Sequence, residues 1–167
     1  DYNALTNVMS SFTAGGVLNN TVVVTVNHDN MVEANETFTV ELSGAPEGII
    51  ITDPSGLGTI TNDDAATVTL TAPASQLEGN AGSSSYVFTA TLNNPVQGGF
   101  TIAYTINNGT AMFADLDMAG PNSNLTFAGT AGEQETISVQ INGDLKVELD
   151  ETFTVALGAI TGPAGIT

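Results

Sequence analysis

Two stretches concentrate the side chains that could do chemistry: Asp29-Asn-Met-Val-Glu33-Ala-Asn-Glu36 and Asp144-Leu-Lys-Val-Glu148-Leu-Asp-Glu151. Each places carboxylates four and seven residues after the first and then runs directly into Thr-Phe-Thr-Val. Carboxylates grouped in this way suit either a hard oxygen-loving cation or paired-carboxylate acid and base work. The elements that must position them are also legible. Laid over each other at a constant offset of 115, Phe12–Leu42 and Phe127–Leu157 share 13 of 31 positions, so the acidic stretch belongs to an internal repeat. Phe38, Val40 and Leu42, and equally Phe153, Val155 and Leu157, alternate with other residues, the period of a half-buried strand. Val22, Val24 and Val26, with Ile137, Val139 and Ile141, form the same pattern before the loop, and all twelve are expected to face inward. The repeat is therefore strand, acidic loop, strand.

Composition narrows the function classes. Eighteen Asp and Glu residues against one basic residue, Lys146, give a net charge of −17, which repels nucleic acid and anionic membrane surfaces over the whole molecule. There is no cysteine, so neither a disulfide framework nor thiol chemistry is available. No apolar run is long enough to insert across a bilayer as a helix. With 41% hydrophobic and only 11% charged residues the chain should nonetheless fold, and its Thr, Val and Ile segments, punctuated by 18 glycines, describe an all-β protein. Expected strands are 11–13, 21–26, 37–42 and 58–61 in the first half, then 68–70, 86–92, 100–106, 124–127 and the second hairpin. Asn62-Asp63-Asp64 closes the first module, and Ala66-Thr-Val-Thr-Leu70 opens the second at once, giving modules 1–64 and 65–167.

Short strands at regular spacing imply tandem Greek-key β-sandwiches, the first lacking its early strands and the second its last strand. The D-x-x-V-E-x-x-E-T-F-x-V-x-L pattern, Gly58-Thr-Ile-Thr-Asn-Asp-Asp64, Leu77-Glu-Gly79, Gly109-Thr-Ala111 and the opening Asp1-Tyr2 together resemble Calx-beta domains over almost the whole chain. The resemblance implies that each sandwich is immunoglobulin-like, making the chain a pair of tandem immunoglobulin-like Greek-key β-sandwiches, with Ca2+ bound in loops at one tip of each. It implies a ligand set of Asp1, Asp29, Glu33, Asp63 and Asp64 in the first module. In the second it implies Glu78, Asp115 or Asp117, Asp144 and Glu148. Family members often carry Asp-Asp where this chain has His28-Asp29 and Gly143-Asp144, one ligand fewer in each loop. Coordination chemistry points the same way: calcium takes about 6 to 8 oxygens in irregular geometry, and the single histidine, His28, cannot build a zinc site.

The expected function is a non-enzymatic calcium-binding structural repeat of a secreted or cell-surface protein, adhesin or matrix in type, with calcium stiffening the modules and their junction. Neighbouring modules, other copies of the chain, or a cell-surface or matrix ligand are the expected partners. The alternative is the subunit of an extracellular filament in which neighbouring copies complete the partial sandwiches. Glycoside hydrolysis fits least: the chain has no tryptophan for a sugar platform, and its acids recur as a structural unit would. Asp53, Glu41, Glu47, Glu133 and Glu135 read as plain surface charge.

Overall fold

The computed structural model describes residues 1–16, 19–112 and 118–167, which form β-strands, turns and loops with no helix among them. The strands are β1 (Glu36–Glu41), β2 (Ser55–Ile60), β3 (Val68–Thr71), β4 (Ser83–Leu92), β5 (Phe100–Asn108), β6 (Met118–Ala119), β7 (Ser123–Phe127), β8 (Gln134–Asn142) and β9 (Phe153–Thr161). Two compact units are present: residues 1–29 with 36–60, and residues 30–35 with 61–167.

The larger unit is a sandwich. One sheet runs β3-β4-β8-β6 and the other β7-β5-β9, every pairing antiparallel. Alternation selects the inner faces. Phe88, Ala90 and Leu92 of β4, Ile137 and Val139 of β8, and Phe100, Ile102, Tyr104 and Ile106 of β5 are all buried. Phe153 of β9 packs edge-on against Tyr86 and Phe88 of β4, ring centroids 5.7 and 5.9 Å apart, which joins the two sheets face to face. Within one sheet, Phe100 and Phe127 are register partners whose rings stack at 4.9 Å.

The smaller unit is built on the β1-β2 ribbon, with Phe38 opposite Gly58. A Cβ on Gly58 would come within 2.4 Å of the Phe38 ring, so glycine is the residue that lets this ring lie across the strand pair. Tyr2 covers the same ring at 5.0 Å and forms an antiparallel bridge with Val26. Asn3 N–H donates to the Thr25 carbonyl and Asn27 N–H to the Asp1 carbonyl, at 2.9 and 2.7 Å.

Two expectations fail in this unit. Residues 11–13 and 21–26 are not strands, and Val22 is exposed, while Val24 and Val26 are only half-buried. Leu42 is exposed as well. The sequence-equivalent Ile137 and Val139 differ because β4 pairs with β8 along Ser83–Thr91, whereas residues 21–26 find a single bridge. Alternation marks a strand that could be half-buried; a ladder partner decides whether it is one.

Glu133 is also corrected. It is no free surface charge: its carboxylate accepts N–H bonds from Ala128 at 2.7 Å, Gly129 at 2.8 Å and Thr130 at 3.1 Å, closing the turn between β7 and β8. Partial desolvation works to raise its pKa, but the three backbone donors outweigh it and hold the carboxyl below its ordinary value of 4.5. A lowered folded-state pKa means that this contribution is complete above the ordinary value and lost as pH falls through the folded one. Glu133→Gln should cost about 1–2 kcal/mol at neutral pH, after discounting for a half-exposed site. Urea unfolding followed from pH 7 down to pH 3 should show the gap between variant and parent closing only below the ordinary glutamate range. A gap independent of pH would mean that the charge plays no part.

Candidate metal centre

Three of the carboxylates expected to bind metal meet in the sandwich. Glu78, Asp144 and Glu148 each offer an oxygen within 4.8 Å of the other two, all on exposed loops. Glu78 lies in the connection from β3 to β4, and Asp144 and Glu148 in the connection from β8 to β9.

Backbone geometry, more than charge, brings these loops together. Gly143 N–H donates to the Gly82 carbonyl at 3.0 Å. A Cβ on Gly143 would sit 2.6 Å from the carbonyl oxygens of both Glu78 and Gly79, closer than real Cβ atoms come. Hence the residue beside Asp144 is glycine, and a second aspartate cannot enter there without moving the Glu78 loop. The Glu78 carbonyl is held by the Ser84 hydroxyl at 3.0 Å. Upstream, the Tyr86 hydroxyl donates to the Gln76 carbonyl at 2.7 Å and accepts from Gln76 N–H at 3.0 Å.

The acidic loop has its own supports. Asp144 Oδ1 accepts the Lys146 N–H at 2.6 Å, an Asx-type turn that aims the carboxylate back along the loop. Lys146 Nζ pairs with Glu148 Oε1, so the single cation of the sequence is spent on the acidic cluster. The far end of the loop is clamped by the Gly109-Thr-Ala turn: Ala111 N–H donates to the Thr152 carbonyl at 3.1 Å, and Thr152 N–H to Thr110 Oγ1 at 2.8 Å. A Cβ on Gly109 would come within 2.1 Å of the Thr152 carbonyl, which accounts for that glycine.

A second acidic grouping lines a cleft of about 610 Å³ in the same unit: Glu33, Asp63 and Asp64, facing Asn35, Asn62 and Pro163–Gly165. Asn62 organises it. Its side-chain oxygen accepts the Glu33 N–H at 3.1 Å and its amide donates to the Asp64 carbonyl at 3.0 Å. Its own N–H donates to Asn35 Oδ1, also at 3.0 Å. Gln97 Nε2 donates to Glu33 Oε1 at 3.2 Å. Neither Asn62 nor Gln97 stood out in the sequence, because neither carries charge; the only signal was the position of Asn62 at the head of the Asp pair. Among the described residues these acids do not meet as closely as the Glu78 group.

Of the remaining expected ligands, Asp1 and Asp29 fall in the smaller unit. Asp115 and Asp117 lie outside the described residues.

The family described as Calx-beta domain matches the chain twice, over residues 1–62 and residues 61–164. No curated protein and no solved structure matches it.

Gly143→Ala should destabilise the larger unit by about 1–3 kcal/mol, the usual cost of forcing extra atoms against packed backbone. Chemical denaturation measures this. An unchanged midpoint would show that the two loops do not need their close approach.

Proposed function

The chain belongs to the Calx-beta domain family, and on that premise we propose that it is a non-enzymatic, calcium-binding structural repeat of a secreted or surface-exposed protein of adhesin or matrix type. One observation carries the reading: Glu78, Asp144 and Glu148 converge from two loops onto a common point at the end of a rigid sandwich. Three carboxylates supply up to six oxygens, water and carbonyls can complete the shell, and irregular geometry from separate loops suits calcium better than magnesium. Bound there, the ion would tie the Glu78 loop to the β8–β9 loop and displace Lys146 from Glu148.

A second ion in the cleft lined by Glu33, Asp63 and Asp64 would be held in part by the segment that connects the two repeats. Calcium in it would fix residues 33–35 against residues 61–64 and so limit the freedom of that connection. Adjoining modules are the natural partners of such a repeat.

The ion binds only where the folded loops assemble its ligands, so it stabilises the folded state; at free calcium about a hundredfold above the dissociation constant one site adds roughly 2.7 kcal/mol. Melting temperatures in excess calcium and in excess chelator test this. The parent should melt higher in calcium, and an Asp144→Asn, Glu148→Gln variant should lose part of that gain while melting close to the parent in chelator. An identical calcium response in parent and variant would remove these two residues from the site.

A further inference from the structure

The internal repeat places one apolar side chain in two opposite environments. Val32 and Val147 are equivalent at the offset of 115, each directly before the glutamate of its acidic loop. Val32 is 0% exposed and Val147 99% exposed.

Val32 is buried because its loop docks onto the turn between β4 and β5. Its N–H donates to the Pro95 carbonyl and its carbonyl accepts the Gln97 N–H, both at 2.9 Å, which makes a parallel bridge with Val96. The Val32 side chain joins the same buried cluster as Val96 and Phe127. Next to it, Glu33 takes a hydrogen bond from Gln97. The acidic loop of one repeat is thus a plug for the Asn94-Pro95-Val96-Gln97 turn of the repeat that follows.

Val147 presents the same plug with its apolar end in water, flanked by Leu145 and Leu149, 83% and 90% exposed. Three consecutive alternate positions of an apolar character have no role in holding a cation, and full exposure of all three is costly unless something covers them. Glu148 stands beside Val147 as Glu33 stands beside Val32.

We propose that the Leu145–Leu149 loop is a docking plug for a further Calx-beta module, received by that module's counterpart of the Pro95–Gln97 turn, with Val147 buried against its counterpart of Val96. The turn of a second copy of this chain is already filled by its own Val32, so the occupant is a module whose turn is open, following the second repeat as the second follows the first. The inference goes beyond calcium binding and does not rest on it.

The chain has no cysteine, so one introduced thiol reports on its own site. Val32→Cys and Val147→Cys are made separately in the full chain, and Val147→Cys also in a chain extended by a second copy of its residues 51–167 placed directly after Thr167. That junction keeps the repeat in register, because Pro163-Ala-Gly-Ile166 corresponds to Pro46-Glu-Gly-Ile49. All are reacted with a maleimide in excess chelator. In the full chain the Val147→Cys thiol should react as a free thiol and the Val32→Cys thiol at least about tenfold more slowly; in the extended chain the Val147→Cys thiol should slow by a similar factor. Equal Val147→Cys rates in the two chains would overturn the proposal, and so would a Val32→Cys thiol that reacts freely. As a second measurement, Val147→Asp should leave the melting temperature of the full chain unchanged and lower that of the extended chain. No difference between the two chains would also overturn it.

Discussion

Like-charge repulsion is the constraint to which the larger unit is built. Two carboxylates about 5 Å apart repel by about 1 kcal/mol even in bulk water, and three of them within 4.8 Å make three such pairs. Lys146 offsets part of this at Glu148, and no other cationic side chain exists in the sequence. The loops therefore cannot owe their approach to charge complementarity. They are held by uncharged contacts that would exist whatever the acids did: Gly143 on Gly82, the Tyr86 hydroxyl on Gln76, the Gly109 turn on Thr152. Behind these stand β4, β8 and β9, anchored by the Phe153 contact across the sandwich. The sandwich holds the acids in place in advance, and a divalent cation would relieve the repulsion that remains.

The same sequence pattern produces different structure in the two halves because burial is a property of partners. Ile137 and Val139 lie at 1% and 0% exposure under a ten-residue neighbour strand, β4. Val22, Val24 and Val26 carry the same alternation, yet Val22 is exposed and the other two are only half-buried. Strand periodicity states which face of a segment would be buried, and it is silent about whether another strand lies alongside. For that reason the strands of the larger unit were legible to within a few residues, while 11–13 and 21–26 were not strands at all. β6, two residues long, was too short to leave a periodic trace.

The candidate site was legible to a similar degree and for related reasons. Glu78, Asp144 and Glu148 could be named because carboxylates are conspicuous, because the acidic loop recurs, and because Leu77-Glu-Gly79 resembles a known motif. What positions them was invisible. Asn62 and Gln97 are ordinary polar residues until the fold puts them beside Glu33. Glu133 looked like any surface acid, and only the turn between β7 and β8 aims three N–H groups at it. The burial of Val32 depends on a turn more than sixty residues later in the chain, a distance no local pattern spans. Gly143 stands where the family often has a ligand, but the reason, the Glu78 carbonyl 2.6 Å from where its Cβ would be, lies in the packing of a loop some sixty residues earlier.

Calcium bound among Glu78, Asp144 and Glu148 is what we propose for this repeat. A crystal of the protein grown with calcium, measured at a wavelength where calcium scatters anomalously, tests it most directly. The expected result is an anomalous peak between the three side chains, oxygens from each at about 2.3–2.6 Å, and Lys146 turned away from Glu148. Well-ordered loops with no peak there, and Lys146 still paired with Glu148 in saturating calcium, would contradict it.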